Sequence, residues 1–203
     1  MKRLLTITLV LCLFALGVLA TSAQQATPAL IEALQRGGHV ILLRHASTER
    51  VQEPSPMDLA NCAAQHRLTD KGREEARAIG AAFQALKIPV DPVLASGYCR
   101  TMETARLAFG RAQGLEVLLH PVYAPVPGAP VPPPYKERTD ALKQLLATPP
   151  APGANTVLVT HGENIKEAVG FEVAQGEATI FRPDGRGGTS LAARVLPTGW
   201  LAK

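Results

Sequence analysis

His39-Val40-Ile41-Leu42-Leu43-Arg44-His45-Ala46-Ser47-Thr48-Glu49 decides how this chain folds, because four aliphatic residues in succession end abruptly on an arginine and a histidine. An unbroken Val/Ile/Leu run reads as a strand buried on both faces, the pattern of a largely parallel sheet covered by helices. The cation and the imidazole that close the run then stand at the carboxyl edge of that sheet. Open α/β sheets place their ligands at that edge.

Two other stretches repeat the device. Val93-Leu94-Ala95-Ser96 is a short buried strand, and Gly97-Tyr98-Cys99-Arg100-Thr101 turns from it into a helix expected from about Met102 to Phe109. Thr156-Val157-Leu158-Val159-Thr160 is a third such run, followed by His161-Gly162 and a short helix over Asn164 to Val169. Between them, Leu68-Thr69-Asp70-Lys71-Gly72 starts a helix with Thr69 as its N-cap and Asp70 in the first turn. Ala76, Ile79, Gly80, Phe83 and Leu86 recur on it at helical spacing and form a core-facing stripe.

The remaining segments fit the same alternation. Leu30 to Gln35 and Tyr135 to Ala147 read as helices, and Glu116 to Leu119 as a strand. Glu177 to Phe181 and Ser190 to Leu196 read as a hairpin around the Asp184-Gly185-Arg186-Gly187-Gly188 turn. Pro121 to Pro134 holds seven prolines in fourteen residues, which suits a stiff loop crossing one face. The expected architecture is an α/β three-layer sandwich, with a central, mostly parallel mixed sheet flanked by helices.

The amino terminus has its own pattern. Met1-Lys2-Arg3, an apolar stretch from Leu4 to Ala20, and Thr21-Ser22-Ala23 before Gln24 describe a secretory signal peptide over residues 1–23. Ala20 is the alternative cleavage point, and a retained membrane anchor is the rival reading. Removal leaves a single domain over 24–203 with no stable membrane anchor, exported, as to a bacterial periplasm. The formal charge of +4 includes Lys2 and Arg3, so the mature domain carries +2. There is no dense basic run and few aromatics, which argues against nucleic acid as a partner. Cys62 and Cys99 remain after cleavage, an even count that permits one disulfide in an exported protein or two free thiols.

Arg44-His45-Ala46, Leu68-Thr69-Asp70-Lys71-Gly72-Arg73, Ser96-Gly97-Tyr98-Cys99-Arg100-Thr101-Met102-Glu103-Thr104-Ala105 and His161-Gly162 follow one another in order. Together they resemble the histidine phosphatase superfamily, which includes the cofactor-dependent phosphoglycerate mutases. Ala46 stands where that family usually has glycine. The resemblance implies that His45 is a nucleophile, that Arg44 and Arg100 clamp phosphate, and that His161 completes the pocket. It also implies a small phosphorylated substrate and no metal or cofactor. Thr48 is expected beside the substrate. In many members the proton donor is a glutamate between the second arginine and the second histidine. Glu137 lies in that interval and Glu163 adjoins His161, so both are candidates.

These readings lead to one expectation: an exported phosphatase that hydrolyses a phosphomonoester, or a phosphohistidine, through a phosphorylated His45. The rival is a phosphate-binding or sensor domain that keeps the pocket with little turnover. His161-Gly162-Glu163 also begins like a zinc deaminase signature, but no Pro-Cys-x-x-Cys follows it.

Overall fold

The computed structural model describes residues 25–200, so the leader expected at 1–23 lies outside the described residues. Six strands form one sheet: β1 (Val40–Arg44), β2 (Val90–Ala95), β3 (Gln113–Gly114), β4 (Asn155–Thr160), β5 (Ala178–Pro183) and β6 (Thr189–Val195), in the order β3-β2-β4-β1-β5-β6. Parallel ladders join β1 to β4, β4 to β2 and β2 to β3, while β5 runs antiparallel to both β1 and β6. The sheet is mixed and mostly parallel, with its antiparallel part at one edge.

Period-two alternation on β1 builds the layers. Ile41 and Leu43 face a core shared with Ile79, Phe83, Ala105 and Ala108, from α2 (Asp70–Ala85) and α3 (Cys99–Phe109). Val40 and Leu42 face the opposite core with Leu142 and Leu146 of α4 (Tyr135–Ala147) and Ile165 of α5 (Gly162–Val169). A further helix, α1 (Pro28–Gln35), leads into β1. Both faces of the central strand are thus covered, as its uninterrupted apolar run requires.

The start of α2 explains the Leu-Thr-x-x-Gly pattern. Thr69 caps the helix by accepting a 3.0 Å bond from the Gly72 amide, while its own amide donates to the Ser47 carbonyl at 3.0 Å. A Cβ on Gly72 would collide with that same carbonyl. Glycine therefore lets the helix lie directly against the loop that follows His45.

Glu116 to Leu119 does not form the expected strand. The edge strand is the two-residue β3, and Glu116–Leu118 is a single 3-10 turn. Leu118 joins the core beneath α4, while Leu119 joins a separate cluster with Met57 and Tyr98. Their carbonyls are claimed by side chains rather than by a ladder. Thr160 Oγ1 donates to Leu118 O at 2.8 Å, and Arg138 Nη1 and Asn164 Nδ2 donate to Leu119 O at 2.6 and 2.9 Å. The helices after β2 and β4 also begin earlier than expected, so Arg100 and Glu163 both lie in first turns.

Candidate active site

The β1–β4 register sets Arg44 opposite Thr160, so the two polar strand ends arrive side by side. Hydrogen bonds continue the ladder past the strands, from the His45 amide to Thr160 O and from the Ser96 amide to Val159 O, both at 3.0 Å. Arg44, His45, Arg100 and His161 consequently line one cavity of about 450 Å³, together with Thr48 and Glu163.

His45 is 5 % exposed and its Nδ1 lies 2.9 Å from the Ala46 carbonyl. A carbonyl can only accept, so Nδ1 carries the proton and Nε2 keeps its lone pair. Burial, reinforced by the charges of Arg100 and Arg44, lowers the His45 pKa to about 3. The imidazole is thus neutral at physiological pH. The adjoining Ala46 amide donates to Thr104 Oγ1 at 3.1 Å, and Thr104 in turn donates to Arg100 O at 2.7 Å, which ties the His45 loop to α3.

His161 is fully buried, with Nε2 2.8 Å from Ser96 Oγ and Nδ1 without a hydrogen-bond partner. Burial and the neighbouring Arg100 hold its pKa well below the ordinary value, so it too is neutral. Its ring meets that of His45 edge-on, with centroids 5.7 Å apart.

Arg44 reaches across to donate from Nη1 to Val173 O at 2.7 Å. A Cβ on Gly162 would lie 2.9 Å from its Cζ, so the glycine after His161 makes room for the guanidinium. Arg100 is 3 % exposed and rests over the Tyr98 ring at 4.5 Å. The Nε atoms of both arginines are buried and have no hydrogen-bond partner. Buried, unpaired Nε donors on two guanidiniums converging with two imidazoles suit a small oxyanion.

Thr48 sits at the cavity wall, where its hydroxyl accepts from Gln175 Nε2 at 3.1 Å. Glu163 lines the cavity, 3.4 Å from His120 Nε2, and that contact lowers its pKa to about 2. Glu137, by contrast, is exposed in the first turn of α4 and does not line the cavity. The helical phase that buries Leu142 and Leu146 turns Glu137 to solvent, so it is no candidate for chemistry here.

Six cavity residues were missed in the sequence: Arg50, Val51, Glu53, His66, His120 and Gln175. Glu53 Oε1 accepts from Arg100 Nη1 at 2.8 Å and from the His66 amide at 2.9 Å. For those in the 50–66 stretch, the signal that could have found them is Cys62–Cys99. These cysteines form a disulfide that fastens the polar loop carrying Glu53 to the residue preceding Arg100. Among the described residues, no three His, Cys, Asp or Glu side chains are grouped to hold a metal ion, and no helix is long and apolar enough to cross a membrane.

Fold and site define a class: a mixed α/β sheet with an Arg/His cavity at its carboxyl edge. The sequence profile of the histidine phosphatase superfamily (branch 1) matches residues 40–122, which carry Arg44, His45 and Arg100. Over that stretch the chain resembles this superfamily. Its fold is similar to that of the protein histidine phosphatase SixA complexed with tungstate (TM-score 0.54, 15 % identity, 79 % of this chain and 97 % of that one). It is also similar to a putative α-ribazole-5′-P phosphatase from Escherichia coli K-12 (0.55, 15 %, 77 % and 95 %). A third likeness is to phosphoserine phosphatase from Entamoeba histolytica in complex with 3-phosphoglyceric acid (0.53, 17 %, 80 % and 99 %). No curated protein sequence matches the chain at a significant level.

Proposed function

We propose that the protein is an exported phosphatase that hydrolyses a small phosphomonoester through a phosphohistidine on His45. One observation carries the reading: Nδ1 of His45 is committed to the Ala46 carbonyl, which leaves Nε2 as a neutral nucleophile among cations. Nε2 attacks phosphorus, and the unpaired Nε donors of Arg44 and Arg100 take up the charge that grows on the equatorial oxygens. With the Ser96 hydroxyl donating to His161 Nε2, the unpartnered Nδ1–H of His161 is a further donor to phosphate.

Export is supported by the leader pattern at 1–23 and by the Cys62–Cys99 disulfide, which suits an oxidising compartment such as the periplasm. A cytoplasmic mutase substrate fits that location poorly, and the reading favours hydrolysis. Phosphohistidine in another protein is a second substrate of the same chemistry, because its labile bond needs less help on departure.

Purified protein is assayed with p-nitrophenyl phosphate, wild type against His45→Ala. The expected outcome is turnover in the wild type, none in the variant, and acid-labile phosphate trapped on His45. Phosphate binding that depends on Arg44 and Arg100 without any hydrolysis would instead establish a binding or sensor domain. For export, the amino terminus of protein recovered from the periplasmic fraction should be Gln24, or Thr21 if cleavage follows Ala20.

A further inference from the structure

Transfer of phosphoryl to His45 leaves an alkoxide unless something protonates the departing oxygen. Resting on the mechanism above, we propose that His120, as an imidazolium paired with Glu163, supplies that proton.

The carboxylates fail for separate reasons. Glu137 lies outside the cavity. Glu53 is occupied as an acceptor, Oε1 by Arg100 and by the His66 amide, with Oε2 3.8 Å from His66 Nε2. Glu163, with a pKa near 2, holds no proton over the working range. Among the imidazoles, His45 is the nucleophile, His161 is fully buried against Ser96, and His66 Nδ1 is held as an acceptor by the Val51 amide at 3.0 Å.

His120 differs from all of these. It lines the cavity, and its ring stands edge-on to His161 with centroids 5.0 Å apart. Its backbone is fixed by a buried cation: Arg138 donates from Nη1 to Leu119 O at 2.6 Å and to His120 O at 3.3 Å, and from Nε to Pro133 O at 3.1 Å. Arg138 thereby ties both ends of the proline segment to α4 and holds His120 at the mouth of the cavity. The ring itself is only loosely engaged: Nε2 is 3.4 Å from Glu163 Oε2, and Nδ1 accepts from the Val122 amide at 3.4 Å, a long contact that must open when Nδ1 takes up a proton. Those contacts are long enough to yield to a substrate oxygen.

The groups facing His120 are Glu163 from α5, His161 after β4, Tyr98 before α3, His66 from the 50–67 loop and Arg138 from α4. Glu163 is the anion in contact with the ring. An imidazole that reaches the leaving oxygen is a side chain suited to general acid work.

The step balances. As the His45 Nε2–P bond forms and the P–O bond breaks, the bonding pair leaves on oxygen and takes a proton from His120. Neutral His120 then accepts a proton from the water that attacks phospho-His45. The P–N pair returns to His45, phosphate departs, and His120 is again an imidazolium.

The test compares an alkyl phosphate, whose alkoxide needs a proton, with p-nitrophenyl phosphate, whose phenolate needs far less help. In His120→Asn the alkyl phosphate should lose about 100-fold or more in kcat, the scale of general acid catalysis, and at least tenfold more than the aryl ester loses. Glu163→Gln should shift the same ratio in the same direction by a smaller factor. In the wild type the alkyl-to-aryl ratio should fall with rising pH as His120 loses its proton, and in His120→Asn it should be flat. Because both substrates are run on one preparation, the ratio does not depend on the folded fraction. Equal losses on the two substrates, or no loss on either, would overturn the role of His120 while leaving phospho-His45 intact. Absence of acid-labile phosphate on wild-type His45 would overturn the underlying reading instead, and this proposal with it.

Discussion

Glu53 Oε1 lies 2.8 Å from Nη1 of Arg100, so a buried guanidinium of the cavity is engaged by a carboxylate of the chain itself. An incoming phosphate therefore either displaces Glu53 or shares the guanidinium with it. Glu53→Gln is expected to destabilise the free protein by about 1.5–3 kcal/mol, the scale of a hydrogen bond to a charged group. The same variant should gain affinity for inorganic phosphate, because no internal anion competes for Arg100. Thermal melts with and without phosphate check both signs. A variant that melts lower and is also stabilised less by phosphate would show that Glu53 shapes the pocket rather than competing in it.

Gly162 and Arg44 pose a question of space. The Cβ of a Gly162→Ala variant would lie 2.9 Å from Arg44 Cζ, and the flexible guanidinium is what gives way. The expected result is about tenfold weaker phosphate binding or a comparably raised KM, with little change in melting temperature. Crowding of the backbone instead would appear as a large loss of stability, measured by denaturant unfolding.

The Cys62–Cys99 disulfide closes a loop with a sequence separation of 37. In the chain-entropy picture its removal lowers stability by about 3–4 kcal/mol. Because the closed loop contains His66 and starts after Glu53, Cys62→Ser with Cys99→Ser should also loosen the Glu53–Arg100 pair. Activity below the unfolding temperature is expected to fall with stability, and an unchanged kcat/KM would separate the loop from the chemistry.

Stability should also fall in acid. His45, with its pKa lowered to about 3, and His161, held well below its ordinary value, are neutral in the folded protein, whereas both titrate near 6.5 when unfolded. Between those limits the unfolded state binds more protons, so stability rises with pH up to about 6.5 and drops as pH falls below it. Each group contributes a slope of at most about 1.4 kcal/mol per pH unit. Denaturant midpoints from pH 4 to 8 for wild type and for His45→Ala measure it. The variant should show the shallower slope.

The amino-acid sequence by itself determined the layered α/β fold and the arrival of Arg44, His45 and His161 at one sheet edge. Both follow from local rules, since an apolar run long enough to be buried on both faces specifies a covered strand, and the residue after its last ladder position must emerge at the edge. The Thr69 cap, the hairpin at Asp184 and the helix over Tyr135–Ala147 were legible for the same reason. Tertiary structure alone decided which carboxylates and imidazoles reach the cavity. Glu137 was excluded by helical phase, and the Leu118-Leu119 pair became a turn because two cores and three side-chain donors divide its apolar and polar groups. Glu53, His66 and His120 carry no periodic signal, because their positions depend on the path of two loops. One path is set by the Cys62–Cys99 bond and the other by Arg138 gathering the carbonyls of a proline segment.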